Sequence, residues 1–206
     1  MIKARHNPLV YGFFKVYAGL RIRNNFRTTV IAGDTSLSGK SVLLLSNHIG
    51  WWDGFWALHL NRMHFGKRFH FMMDEEELSK RWLFSLSGGF SIRRNSRSLF
   101  ESLRYTEELL KKDENLVVIY PQGKLYSSHT PSVNFKKGIE RLKFDAENAP
   151  DVYFLVQLTD YYQFDKPTLY FYLEKATVNI VQTRSYEAAY NDFYRRSIEQ
   201  HSQIVV

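Results

Sequence analysis

A histidine and an aspartate separated by four residues carry the clearest chemical signal in the sequence. His48 and Asp53 lie in the segment SNHIGWWDG, directly after the apolar run VLLL at 42–45. A neutral imidazole can take a proton from a hydroxyl near pH 7, and a carboxylate on its other ring nitrogen fixes the tautomer. Because no serine or cysteine nucleophile is evident, the hydroxyl is expected to belong to the substrate, which indicates acyl transfer to an alcohol. Taken alone, the spacing also fits a structural pair.

Composition narrows the classes of protein. The chain has 206 residues, a formal net charge of +7 and no cysteine, and 16% of its residues are aromatic. This length suits one domain with a real core, and the charge favours anionic partners. No nucleic-acid-binding motif is evident, so no nucleic-acid partner is expected. The histidines at 59, 64 and 70 have the apolar neighbours of ordinary helix or strand faces, so no metal site is predicted.

Residues 1–27 are predicted to form an amphipathic, basic segment separate from the rest of the chain. Apolar residues at 10, 13, 14, 17 and 20 recur at helical spacing, and lysines and arginines surround them. Such a helix can lie in a membrane interface or pack on the domain. No apolar run has the length of a membrane span, and we expect no signal peptide.

Residues 28–206 are predicted to form a single α/β domain with a mixed, largely parallel sheet flanked by helices. Strands are predicted at 26–32, 42–45, 68–73, 116–120, 152–158 and 168–173, and helices at 55–63, 75–86, 96–112, 135–147 and 186–200; this alternation is typical of the class. His48 should then lie at the carboxyl edge of the sheet, where such sheets bind ligands. Gly50 is expected to let Asp53 reach back to His48, and Asp53 is an alternative N-cap for the helix that follows.

Four ordered blocks resemble those of the glycerolipid acyltransferase superfamily, the enzymes that acylate glycerol 3-phosphate and lysophosphatidic acid. The first is NHIGWWD at 47–53, and the second is GGFSIRR at 88–94. The third, YPQG at 120–123, is similar to the family's Phe-Pro-Glu-Gly-Thr-Arg, and FKKG at 135–138 matches the Phe-Lys-x-Gly that follows it. The resemblance spans about residues 28 to 175, and the ordered set is far more specific than any single block.

The resemblance implies an O-acyltransferase with His48 as general base and Asp53 as its partner. It implies no bound cofactor and an acyl donor that is either acyl-CoA or an acyl-carrier protein. Membrane lipids are the expected partners, with peripheral association at the cytoplasmic face of a membrane. The substrate-binding residues would be Arg94, Gln122, Gly123, Lys124 and Lys136, with Arg94 on the acceptor's phosphate and backbone amides near Gly123 as candidate oxyanion donors.

The third block departs from the family pattern. The family's glutamate, threonine and arginine are here Gln122, Lys124 and Leu125. A lost arginine should weaken phosphate capture, by about 1.5–3 kcal/mol for one charge-assisted bond. The acceptor is therefore either a phosphate-bearing glycerolipid or another lipid alcohol. A non-catalytic lipid-binding protein and a thioester hydrolase are the alternatives from other classes.

Overall fold

A seven-stranded sheet forms the centre of the computed structural model, which describes residues 1–93, 96–136, 138–144, 149–176 and 185–206. The strands are β1 (Thr28–Gly33), β2 (Val42–Ser46), β3 (Arg68–Asp74), β4 (Gly89–Ile92), β5 (Asn115–Ile119), β6 (Asp151–Asp160) and β7 (Thr168–Lys175). Their spatial order is β1-β7-β6-β2-β5-β3-β4. Only β6 and β7 pair antiparallel, so the predicted mixed, largely parallel sheet is confirmed.

Helices cover both faces of this sheet. They are α1 (Pro8–Asn25), α2 (Asp53–Leu60), α3 (Glu75–Lys80), α4 (Ser96–Leu110) and α5 (Tyr186–Ser202), and a π-helical turn at Asn61–Phe65 continues α2. Apolar side chains of α1 and α2 form one core with one side of the sheet, and those of α4 and α5 form a second core with the other side. The protein is therefore an α/β sandwich of three layers.

Strands β2 and β5 lie at the middle of the sheet, and every residue in both is buried. Leu43 and Leu45 point into the core shared with α4 and α5, whereas Leu44 points into the core shared with α1 and α2. A central strand that is covered on both faces reads as a continuous apolar run, and this explains why these two strands were evident in the sequence.

Two predicted helices were wrong in part, and one strand was not predicted. Within the described residues, the predicted helix at 135–147 contains only a 3-10 turn at Ile139–Arg141. Gly138, just before it, has a φ of +142°, and a Cβ there would lie 2.9 Å from Leu99 Cδ2. This left-handed backbone interrupts a helix. The predicted helix at 75–86 ends at Lys80 and is followed by a 3-10 turn, and β4, which begins at Gly89, is the strand absent from the prediction.

Helix α1 is apolar on two sides. Asn7 caps it, accepting hydrogen bonds from the amides of Leu9 and Val10. One side packs on the domain through Phe14, Ala18 and Ile22. The other side exposes a row of large apolar side chains: Leu9, Phe13, Val16 and Leu20. The helix thus packs on the domain and also presents an apolar surface, while the domain boundary at residue 27 stays a prediction.

No helix in the described part of the chain combines the length and apolar character needed to cross a bilayer.

Candidate active site

His48 lies two residues beyond the end of β2, at the carboxyl edge of the parallel strands. Its Nδ1 is 2.8 Å from Oδ2 of Asp53, which is fully buried, whereas the His48 side chain is partly exposed. The amides of Ile49 and Gly50 also donate to Asp53 Oδ2, at 2.6 and 3.0 Å. Since a carboxylate only accepts hydrogen bonds, Nδ1 carries the proton, and Nε2 is the nitrogen left to act as a base.

The carboxylate of Asp53 accepts hydrogen bonds from the turn at residues 48–50 and does not cap the helix that follows. Asp53 is the first residue of α2, and Trp52 occupies the N-cap without a side-chain hydrogen bond. The N-cap alternative was therefore wrong. Gly50 has no left-handed φ, and a Cβ there would lie 3.5 Å from Asp53 Oδ1, an ordinary contact. The expectation that Asp53 reaches back to His48 through a backbone conformation at Gly50 that only glycine adopts was also wrong.

The loop after β5 holds the backbone of His48 from both sides. Gln122 Oε1 accepts from the His48 amide at 2.5 Å, and the His48 carbonyl accepts from the Tyr126 amide at 3.0 Å. Gln122 is buried, so its carbonyl oxygen is used inside the protein. The preceding residue, Asn47, exchanges two hydrogen bonds with the backbone of Gln157 on β6, at 3.0 and 2.8 Å. Both neighbouring strands therefore fix the position of the base.

Two cavities meet at His48. The first, which we call the aromatic cavity, has a volume of about 120 Å³ and lies between α1, α2 and β3. Its walls are mostly large apolar side chains, among them Phe14, Trp51, Phe55, Phe71 and Phe84. The second, the cationic cavity, has a volume of about 770 Å³ and opens on the other side of His48. The two share a boundary of five residues: His48, Trp51, Met72, Met73 and Tyr120.

The cationic cavity is lined by three basic residues, Arg93, Lys124 and Lys136. Arg93 is bound to Glu75, with its Nε 2.7 Å from Oε1, and this hydrogen bond is the main cause of the lowered pKa of Glu75. Lys124 and Lys136 are exposed and form no ion pair with any residue in the described ranges. Within the part of the chain that the structure describes, these two lysines thus supply charge that no ion pair neutralises.

The other walls of the cationic cavity are apolar and acidic. Aliphatic side chains form much of the lining: Ile92, Leu99, Leu103, Ile119, Leu125 and Ile139. Asp74 and Glu77 also line it, and Glu77 pairs with Lys80 and Arg81. The cavity therefore combines a charged rim with an apolar interior.

The structure brings most of the predicted site residues together. Gly123 has a φ of +60°, where glycine is favoured, and the side chain of Lys136 crosses it. The Gly123 amide donates to the Tyr120 carbonyl at 3.1 Å, and the suggestion of backbone amides near Gly123 as oxyanion donors stays a prediction. Arg94 lies outside the described residues. The roles of all these residues in substrate binding stay predictions.

Sequence reasoning missed three residues that contact the base or its turn. Tyr120 stacks on the His48 ring, with ring centroids 4.4 Å apart and planes 23° apart. The backbone of Gln157 bonds to the side chain of Asn47, and the Tyr126 amide donates to the His48 carbonyl. Tyr120 belongs to the third block, and its place directly after β5, the strand beside β2, was the available signal.

Within the described part of the chain, no group of three or more histidine, aspartate or glutamate side chains is arranged to hold a metal ion. His70 lies on β3 and is buried, with Nε2 3.2 Å from Asn115 Oδ1. Burial, helped by the nearby His6 charge, lowers the pKa of His70 to about 3. This residue is therefore a neutral core histidine.

The structure thus places a histidine–aspartate pair at the carboxyl edge of a largely parallel α/β sheet, and the sequence matches a family of enzymes. Residues 22–159, about two thirds of the chain, match the Acyltransferase family model. The chain therefore belongs to this family and is an acyltransferase, which confirms the predicted superfamily.

A solved structure shows the same fold. The 1-acyl-sn-glycerophosphate (LPA) acyltransferase PlsC from Thermotoga maritima aligns with a TM-score of 0.56 at 15% identity, covering 93% of this chain and 78% of that one. No curated protein was found to match the sequence. The likeness to PlsC confirms the α/β fold class, with its sheet, flanking helices and N-terminal helix.

Proposed function

We propose that this acyltransferase moves a fatty acyl group from an acyl thioester to the hydroxyl of a lysophospholipid or related lipid alcohol. The observation that carries the proposal is the meeting of two unlike cavities at His48. One is apolar and narrow, and the other combines cations with aliphatic walls. A transferase for two lipid substrates needs two such compartments, with the base between them.

The aromatic cavity suits the acyl chain of the donor. Its walls are apolar and most of them belong to the core shared with α1 and α2, so a hydrocarbon chain there would be removed from water. Each buried methylene is worth about 0.8 kcal/mol. The thioester carbon at the end of such a chain would lie beside His48 at the shared boundary of the two cavities.

The cationic cavity suits the acceptor. Lys124 and Lys136 are placed to bind an anionic head group, and an ammonium acts there as a point charge without the two-pronged geometry of arginine. The aliphatic wall formed by Leu99, Leu103 and Ile139 suits a hydrocarbon body attached to that head group. We therefore favour an acceptor with an alkyl chain, and weakly favour one with a phosphate.

The reaction follows from the geometry of the base. His48 Nε2 takes the proton of the acceptor hydroxyl while the hydroxyl oxygen forms a bond to the thioester carbon. Asp53 stabilises the imidazolium through Nδ1, as the 2.8 Å contact allows. The tetrahedral intermediate then collapses, the carbon–sulfur bond breaks, and the departing thiolate takes the proton back from His48. No acyl-enzyme intermediate is required.

We further propose that the protein works as a peripheral protein on the cytoplasmic face of a membrane. The outer side of α1 exposes Phe13, Val16 and Leu20, and the neighbouring turn exposes Trp82 and Leu83. Phe84 joins this apolar surface to the aromatic cavity, since its ring packs on both Phe14 and Trp51. Exposed apolar side chains of this kind are typical of membrane contact sites.

Basic residues around this surface fit an anionic lipid head group. Arg21 lies over the Trp52 ring at 4.6 Å, and Arg81 lies over the Trp51 ring at the same distance. Each basic residue near an anionic surface contributes about 1 kcal/mol. In vesicle sedimentation, Phe13→Ser with Leu20→Ser should weaken binding about tenfold or more, whereas Leu37→Ser, an exposed leucine between β1 and β2, should not change it.

The deciding experiment measures thiol release from palmitoyl-CoA with purified protein and lipid vesicles. Lysophosphatidic acid and a phosphate-free lysolipid are added separately, and His48→Ala is run beside the unaltered protein. Release that depends on an acceptor and is lost in His48→Ala supports the proposal. A fully active His48→Ala would remove the base assignment.

The remaining outcomes separate the alternatives. Acyl-carrier protein replaces CoA as donor if palmitoyl-CoA is inert, because both carriers are anionic and either fits a chain of net charge +7. Free fatty acid formed in the presence of excess acceptor indicates a hydrolase. Saturable vesicle binding without thiol release from either donor indicates a lipid-binding protein.

A further inference from the structure

Tyr120 holds an unusual place beside the general base. It follows the last residue of β5, the strand next to β2, and its ring lies over the face of the His48 imidazole at 4.4 Å. Asp53 fixes the same imidazole through its edge, at Nδ1. The ring of His48 is therefore held in two directions, and only one of the two contacts belongs to the histidine–aspartate pair.

The other end of Tyr120 is buried. Three side-chain oxygens in the described residues around the base are buried without a hydrogen-bond partner: Tyr120 Oη, Asp53 Oδ1 and Gln157 Oε1. Of the three, only the tyrosine hydroxyl carries a hydrogen, since a carboxylate and an amide oxygen only accept. Buried polar groups without partners are costly, so one donor and two acceptors left unpaired around the same base are informative.

The charge of Asp53 acts on this hydroxyl. Burial raises the pKa of the Tyr120 hydroxyl well above its ordinary value, and the negative charge of Asp53 raises it further. The hydroxyl is therefore electrostatically coupled to the carboxylate. By the same interaction, its dipole acts on the carboxylate that supports His48.

We propose that Tyr120 is a positioning residue for the general base: its ring supports the His48 imidazole, and its hydroxyl donates to one bridging water that serves the buried acceptors Asp53 Oδ1 and Gln157 Oε1. The two parts act on His48 in opposite directions. The aromatic face stabilises the imidazolium that forms during transfer. The hydrogen bond stabilises the carboxylate and so weakens its hold on the protonated ring.

The test follows the protonation of His48 by NMR in the substrate-free protein, with the His48 signals assigned by their loss in His48→Asn. Tyr120→Leu removes the ring, and the titration midpoint of His48 should fall by about half a pH unit. Tyr120→Phe keeps the ring and removes the hydroxyl, and the midpoint should rise by about half a unit. Shifts of opposite sign support the proposal.

Tyr194 supplies the matched control. It is a buried tyrosine away from the base, and its hydroxyl donates to the Thr130 carbonyl at 3.1 Å. Tyr194→Phe and Tyr194→Leu should leave the His48 midpoint unchanged. If the Tyr120 variants give no shift, or the same shifts as the Tyr194 variants, Tyr120 only fills space and the proposal is overturned. If Tyr120→Leu does not fold, the upward shift in Tyr120→Phe decides the outcome.

The consequence for catalysis rests on the proposed function. Tyr120→Leu should lower kcat about tenfold with little change in KM for the acceptor, because the residue acts through the base. The titration needs no substrate, so its result holds even if no acyl transfer is found. Failure of the acyl-transfer assay with the expected titration shifts would overturn the proposed function alone.

Discussion

The aromatic and cationic cavities share one boundary but are built from different parts of the molecule. The aromatic cavity is formed by side chains of α1, α2 and β3 that also belong to the hydrophobic core, and their rings contact one another in series. The cationic cavity is formed by strand ends, loops and one side of α4, and only its rim, with two lysines, is exposed. Changes in the first cavity should therefore affect both fold and function, and changes at the rim of the second should affect function alone.

The largest effect is expected at Asp53, the partner of His48, which supports the boundary from outside both cavities. Asp53→Asn removes the charge that stabilises the imidazolium, and kcat should fall on the order of 10³-fold. The values of kcat/KM for the donor and for the acceptor should fall equally, since Asp53 lines neither cavity. Steady-state kinetics with the donor and the acceptor varied in turn provide the measurement. A change confined to one KM would mean that Asp53 serves only one compartment.

The cationic cavity should respond next. Lys136→Ala should lower kcat/KM for a phosphate-bearing acceptor roughly ten- to one-hundredfold, because one charge-assisted contact is lost. The melting temperature and the kinetics with a phosphate-free acceptor should hardly change. Leu125→Arg, which restores the family's residue, should act in the opposite direction. Lys166→Ala, a lysine that does not line the cavity, is the control.

A larger side chain at one glycine position would partly fill the aromatic cavity. Gly54 lines it, and a Cβ there meets no atom within 4 Å. Gly54→Leu should reduce turnover of long-chain donors about tenfold relative to short-chain donors, since a few methylenes no longer fit. Gly12→Leu, also helical and with open space at its Cβ, should leave the chain-length profile unchanged. Equal loss for all chain lengths would place the acyl chain elsewhere.

The smallest effect at neutral pH concerns His70, whose neighbours in β3, Phe69 and Phe71, line the aromatic cavity. Burial lowers the pKa of His70 from 6.5 to about 3. Between these two pH values, His70 binds a proton in the unfolded chain but stays neutral in the folded chain. Stability should be complete above pH 6.5 and fall toward pH 3, by a few kcal/mol at most.

Urea unfolding at several pH values tests this. His70→Gln should flatten the fall in the free energy of unfolding between about pH 6 and pH 4, because the group that titrates is removed. Exposed His129→Gln is the control. An unchanged slope in His70→Gln would assign the acid sensitivity to other groups.

The central strands and the histidine–aspartate pair were predictable because local patterns determine them. β2 and β5 are apolar along their whole length, and the turn that joins His48 to Asp53 spans only five residues. The helix predicted at 135–147 failed because Gly138 adopts a backbone that Leu99, far away in the sequence, crowds closely. β4 was missed because its glycines are typical of a turn, and contacts with the N-terminal residues and β3 determine its form.

Contacts between distant parts of the chain explain what the sequence did not show at the site. Gln122 was predicted to bind substrate, yet its oxygen accepts from the His48 amide across 74 residues of sequence. Tyr120 is likewise adjacent to the base only because β5 pairs with β2. The sequence motif identifies Gln122 and Tyr120 as residues of the site. Their contacts with His48 become visible only when the pairing of β5 with β2 is known.

The double attachment of His48 to the loop after β5 has a consequence for engineering. Gln122 and Tyr126 bind the two backbone groups of His48, and Lys124 and Leu125 lie between them on the same short loop. This segment cannot be exchanged as a whole for that of a relative with another acceptor preference. A grafted loop should retain a side chain that accepts a hydrogen bond at position 122 and a backbone amide that can donate at position 126. Only the residues between these two positions should be varied.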